Sequence, residues 1–267
     1  MATTLVGAAL SAQAQITLDG VISATEIGAG NYVSLGKFTT SHVPVAGGPT
    51  GFGNAGLLQM YGANAGGKLY VGIAGTLEAS KNNFQLYMDL PNKTGVPVGT
   101  GLPSIASSTT AFGTFAGGSI GGTKLDLEAD AAIALTGQGD VQAAIYSNAT
   151  TAVAKSLGNN AAITLDGNPN PVYDATGVYA IFAGTRVAYK AAPTGLNSNP
   201  GNANGGGAGS YALEYEFDNK ALGLPSGASI VRVFAAYVSG DAFWSSDFIP
   251  ESVGNGKTGT GAYRRPQ

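Results

Sequence analysis

The chain has 267 residues, 42 of them glycine, with only 11% charged and a net charge of −3. Its 44% hydrophobic content supplies a sizeable core, which excludes a disordered or charge-solvated chain. The 13 basic residues are scattered, which excludes a phosphate-matching nucleic-acid face, and no apolar run reaches the roughly 18 residues of a transmembrane helix.

Residues 1–14 are small and apolar and close with Ala12-Gln13-Ala14 before Gln15. They read as the remnant of a secretory signal with an A-x-A cleavage site, although the basic start of such a signal is missing. The other reading is an N-terminal strand or a helix of small residues. Residues 15–253 are expected to form the folded domain, and residues 254–267 a flexible tail.

Period-two alternation dominates from there on. Leu69, Val71 and Ile73 share one face, as do Phe84, Leu86 and Met88 opposite Gln85, Tyr87 and Asp89. The stretches 125–131 and 211–218 alternate in the same way, placing Leu213, Tyr215 and Phe217 inward with Glu214 and Glu216 facing out. Ile230 to Val238 is more evenly apolar and predicts a buried central strand. Such half-buried alternation is the mark of antiparallel sheets with one solvated face.

Turn-forming segments separate these runs: 47–51, 92–95, 117–119 and a low-complexity stretch from Asn197 to Gly209, expected to be a mobile surface loop. Helical periodicity is confined to short candidates around 149–157 and a turn at 220–223. The pentapeptide Ile-Thr-Leu-Asp-Gly occurs twice, at 16–20 and 163–167. The sequences that follow the two copies differ, so they read as two strand-to-turn junctions. The expected fold is all-β, a single-domain antiparallel β-sandwich with long Gly-rich loops.

The opening Ile16-Thr17-Leu18-Asp19-Gly20-Val21-Ile22, the pair of central strands 69–73 and 84–89, and 210–216 leading into Leu222-Gly223-Leu224 resemble the family-9-type carbohydrate-binding and DOMON-like β-sandwich domains. The chain is similar to uncharacterised secreted bacterial proteins built on this plan. The resemblance implies a non-catalytic extracellular module. Sugar-binding members use a pair of tryptophans to clamp ligand, whereas this chain has one.

Chemistry is restricted by what the chain lacks. There is no cysteine, and His42 is the single histidine, so thiol catalysis and multi-histidine or cysteine metal sites are excluded. Gly51-Phe52-Gly53-Asn54-Ala55-Gly56 matches the dinucleotide fingerprint in spelling only, because no strand-to-helix context surrounds it. Asp126, Glu128 and Asp130 would line one face of a strand, either as a solvated face or as calcium or glycosidase carboxylates. An acid/base pair such as Asp89 with Asp126 has no motif behind it. The loop residues Asp166, Asn168, Asn170 and Asp174 are the one candidate metal set, for Ca²⁺, although Asx turns explain them equally.

Trp244 lies among Phe243 and Phe248, with Asp241 and Asp247 nearby in sequence. Exposed in a loop, it would stack a polysaccharide ring, with Tyr61, Tyr173 or Tyr237 completing the clamp and Asp241 or Asp247 accepting sugar hydroxyls. Buried, it would staple the C-terminal segment to the core. Two functions follow: a secreted, glycan-binding module of the cell surface or matrix without catalytic activity, or a structural subunit that self-associates through sheet edges.

Overall fold

A computed structural model describes residues 16–29, 31–38, 55–106, 111–115, 118–158, 162–201, 205–225, 229–240 and 244–250. In chain order the elements are β1 (Val21–Ile22), α1 (Ala24–Gly28), β2 (Val33–Lys37), β3 (Gly56–Ala65), β4 (Lys68–Thr76) and β5 (Asn83–Asp89). There follow β6 (Thr114–Phe115), β7 (Gly118–Ser119), β8 (Ala131–Thr136), β9 (Val141–Asn148) and β10 (Thr151–Ser156). The last are β11 (Asn170–Pro171), β12 (Arg186–Tyr189), β13 (Ser210–Asp218), β14 (Arg232–Val238) and β15 (Trp244–Ile249).

Two antiparallel sheets face each other. The first has the order β11-β12-β13-β4-β3-β2, with β1 pairing the end of β13 beyond the reach of β12. The second has the order β10-β9-β8-β5-β14-β15. Between them lies the main core, to which the inward residues Val71, Ile73, Phe84, Leu86, Met88, Leu213, Tyr215 and Phe217 all contribute. Val231 and Val233 are only partly buried against it.

Among the described residues the solvated faces that alternation implies are confined largely to the edge strands β2 and β10, because the central strands of both sheets are covered again on the outside. Residues 96–129 lay Val96, Leu102, Ile105, Phe112, Leu125 and Leu127 over the back of the second sheet, against Tyr87, Tyr146, Phe234 and Trp244. Residues 16–32 lay Ile16, Ile22 and Tyr32 over the back of the first, against Leu58, Tyr61, Tyr70 and Ala212. A strand covered on both faces needs no polar side, and β8 (Ala-Ala-Ile-Ala-Leu-Thr) is buried throughout.

The polar residues on the covered faces anchor the backbone of the covers. Gln85 donates to the Ala111 carbonyl at 2.7 Å and Gln142 accepts from Ala111 N at 2.8 Å. Glu214 is fully buried, which corrects its outward placement: it accepts from Asp19 N, Gly20 N and the Tyr32 hydroxyl at 3.1, 2.8 and 2.7 Å. Glu216 is also buried, under Tyr70 and beside Arg186, whose guanidinium approaches it at 3.4 Å. A buried polar group without such partners would cost free energy comparable to a lost hydrogen bond or more.

Other local expectations change as well. Residues 151–156 form a strand rather than a helix. Ala152 and Ala154 alternate onto the second sheet's outer cluster, and the Asn148 carboxamide accepts from Thr150 N to close the turn before them. Residues 125–130 keep their alternation but are held by isolated bridges, and the strand begins at Ala131. The described parts of 197–209 are pinned: Asn199 is buried, donating to the Gly75 and Tyr211 carbonyls, and the Tyr61 hydroxyl bonds the Gly206 carbonyl. Residues 1–14, His42, Gly51 to Asn54 and the tail 254–267 lie outside the described residues; Gly56 opens β3 rather than a helix.

The two Ile-Thr-Leu-Asp-Gly copies make the same turn. Asp19 accepts from Val21 N and Asp166 from Asn168 N, each at 3.0 Å, and the glycine that follows has φ of 72° at Gly20 and 96° at Gly167. They also touch: a Cβ on Gly167 would sit 2.3 Å from the Asp19 carbonyl oxygen. Gly167→Ala therefore combines a left-handed backbone with a backbone clash, and is expected to cost about 1–3 kcal/mol in urea unfolding.

Candidate functional site

Trp244 is buried, 8% exposed, with its ring stacked on Tyr87 at 5.9 Å between centroids and tilted against Phe234 at 6.3 Å. The exposed stacking face required for a sugar platform is therefore missing at this residue. Its companions are placed for packing too. Tyr237 is fully buried in the main core, its hydroxyl accepting from Asn82 at 3.2 Å and donating to Glu78. Asp247 is buried and accepts from Leu57 N at 3.3 Å, tying β15 to β3 across the open side of the sandwich. Asp241 lies outside the described residues.

The oxygen-rich loop is organised by its own hydrogen bonds. Asp166 accepts from Asn168 N at 3.0 Å and from its side-chain amide at 2.7 Å, and these donors hold Asp166 below the usual carboxylate range. Asn170 donates to the Asn168 carbonyl at 2.7 Å, and Asp174 pairs with Lys155 at 2.9 Å. Among the described residues no three acidic or histidine side chains converge on one point. The row Asp126, Glu128 and Asp130 is likewise split. Glu128 accepts from Gly95 N at 2.8 Å, Asp130 is buried and accepts from Leu90 N at 2.7 Å, and Asp126 is exposed. Asp89 is engaged by Arg232 at 3.0 Å.

What the structure does assemble is an apolar groove of about 540 Å³. Its origin is a mismatch in strand length. The last β15 residue in the ladder, Ile249, sits opposite Ala235, while β14 continues back through Phe234, Val233 and Arg232, paired on their other side with β5. The lane beside those residues has no strand among the described residues. Leu35 and Met60 of the first sheet form one wall, and Leu125 and Leu127 of the outer cover form the other. Val231, just before β14, and Val233 line the groove on the side of the main core and Phe234 on the side of the outer cover, with Pro250 at the head. The register shift between Ser34 and Gly36 places Leu35 as the extra residue of a bulge, leaning on Gly62, where a Cβ would come within 2.9 Å of Leu35 Cδ1. Bulges re-aim side chains in this way. Asp126 and Arg232 are the charged residues in the lining, and their opposite signs leave it without net charge.

The sequence signal for this site was the apolar run 230–238, which needs cover on both faces. What sequence could not supply was the point at which β15 stops. Comparison with protein families, with curated proteins and with solved structures finds no match.

Two outcomes test these placements. Trp244→Ala is expected to lower stability by about 3–5 kcal/mol in chemical denaturation, as a buried aromatic truncation. At Glu214, burial raises the carboxyl from 4.5 to about 8, and the nearby Glu26 carboxylate adds to this against the opposing donors. A raised acid favours the protonated folded state, so its contribution is present below pH 4.5 and lost as pH rises through 8. Thermal melts are expected to fall between pH 5 and 9. Glu214→Gln, which keeps an acceptor for Gly20 N and an amide toward Tyr32, should flatten that slope.

Proposed function

We propose that this protein is a secreted, non-catalytic β-sandwich module that works by binding an apolar ligand in the groove beside the first residues of β14. The groove carries the reading. Its volume lies in the range of ligand sites, its lining is apolar apart from one acid and one base, and it is preformed by two sheets and a cover. The resemblance to extracellular β-sandwich domains supports a binding role, and the small-residue segment ending Ala12-Gln13-Ala14 supports export. Glycan stacking has lost its platform with the burial of Trp244, so an apolar ligand is the better match.

Titration with anilinonaphthalene sulfonate, whose fluorescence reports apolar sites, tests this. The folded protein is expected to bind the dye saturably at one site. Leu35→Lys, at a partly exposed wall position, should weaken binding at least about tenfold by placing an ammonium in the lining, with the melting temperature little changed. Equal affinity in the two proteins, or no saturable binding, overturns the reading.

A further inference from the structure

Resting on that reading of the groove, we infer that its occupant is an extended segment of a partner polypeptide, uncharged and apolar on both faces, that adds a strand to β14. Three observations select a peptide over a simple apolar molecule. First, the groove is a strand position: β14 is paired with β5 at Arg232, Val233 and Phe234, and β15 has already ended on the other side. Every second residue of a strand turns both its N–H and its C=O to the same neighbour. No described residue pairs with that side of β14, so the lane presents backbone donors and acceptors that an alkyl or aromatic ligand cannot satisfy and a peptide can.

Second, the walls fix the side-chain pattern. An added strand would point alternate residues at Leu35 and Met60 on one side and at Leu125 and Leu127 on the other. Both sets are apolar, so an amphipathic strand with one polar face would bury polar groups without partners. The occupant must be apolar at successive positions, as β8 is in the adjoining sheet. Third, the lane is short and electrically balanced. It runs beside Val231 to Phe234, about four residues or roughly 13 Å of extended chain, and its two charges, Asp126 and Arg232, cancel. A central charge in the occupant would face apolar walls on either side.

The test uses the peptide acetyl-Lys-Gly-Val-Ile-Val-Leu-Gly-Lys-amide and the same peptide N-methylated at Val, Ile, Val and Leu, each competing against anilinonaphthalene sulfonate on the full chain. Methylation removes the backbone donors and leaves the apolar side chains, whatever the register. The parent peptide is expected to displace the dye, and the methylated one to do so at least about tenfold less well. Equal displacement by both would mean that the groove is filled by apolar contact alone, and failure of both while the dye still binds would exclude a peptide. Either result overturns this inference and leaves the groove reading standing. A chain ending at Pro250 that binds the parent at least tenfold more tightly than the full chain would show that the lane is filled from within, which also overturns it. Loss of dye binding itself is the separate failure of the groove reading.

Discussion

A carboxyl group buried in the middle of an apolar sheet face is the constraint around which the first sheet is arranged. Glu214 projects from the centre of β13 into the cluster formed by Ile22, Tyr32, Leu58 and Tyr70, where an unpartnered acid would be prohibitive. The segment 16–32 resolves this by turning two backbone N–H groups and a tyrosine hydroxyl onto it. That segment is itself shaped by a second acid: Glu26 accepts from Thr17 N at 2.6 Å and, through the capping box with Ser23, from Ser23 N at 2.9 Å. One acid folds the cover and the other seats it.

The second sheet is covered by the same logic with neutral groups. Gln85 and Gln142 both bind the backbone of Ala111, one at its carbonyl and one at its N–H, while Tyr87 donates to Gln85 and stacks on Trp244. Polar side chains on a sheet face usually mark the side that water reaches. Here they mark where another stretch of backbone crosses. The groove is the place where this double covering stops, since β15 ends at Ile249, opposite Ala235, while β14 extends three residues further, to Arg232, and the cover 96–129 reaches over the gap without filling it.

The strands were legible in the sequence wherever apolar residues alternate, and 69–73, 84–89 and 211–218 lie within strands, with the inward faces as read. The second layer of cover was not legible, because Glu214, Gln85 and Gln142 look the same in sequence whether they meet water or a backbone amide. The alternation at 125–131 was genuine but reported packing onto a neighbouring cluster rather than membership in a ladder. The helical reading of 149–157 rested on small residues whose period is equally two, and pairing with β9 decided between them. Trp244 could not be placed from sequence because burial and exposure call for the same aromatic neighbours. The groove depends on a difference in strand length, and strand ends are set by register, which period alone does not fix.

The seat of the first cover also bears on the order in which the chain can assemble. Gly20 and Glu214 are 194 residues apart, so during synthesis the segment 16–32 has no place to dock until β13 has appeared. Closing such long loops is slow compared with forming the β8–β9–β10 meander. The segment 16–32 must therefore stay unattached until β13 is made, and its docking follows the formation of the local meander.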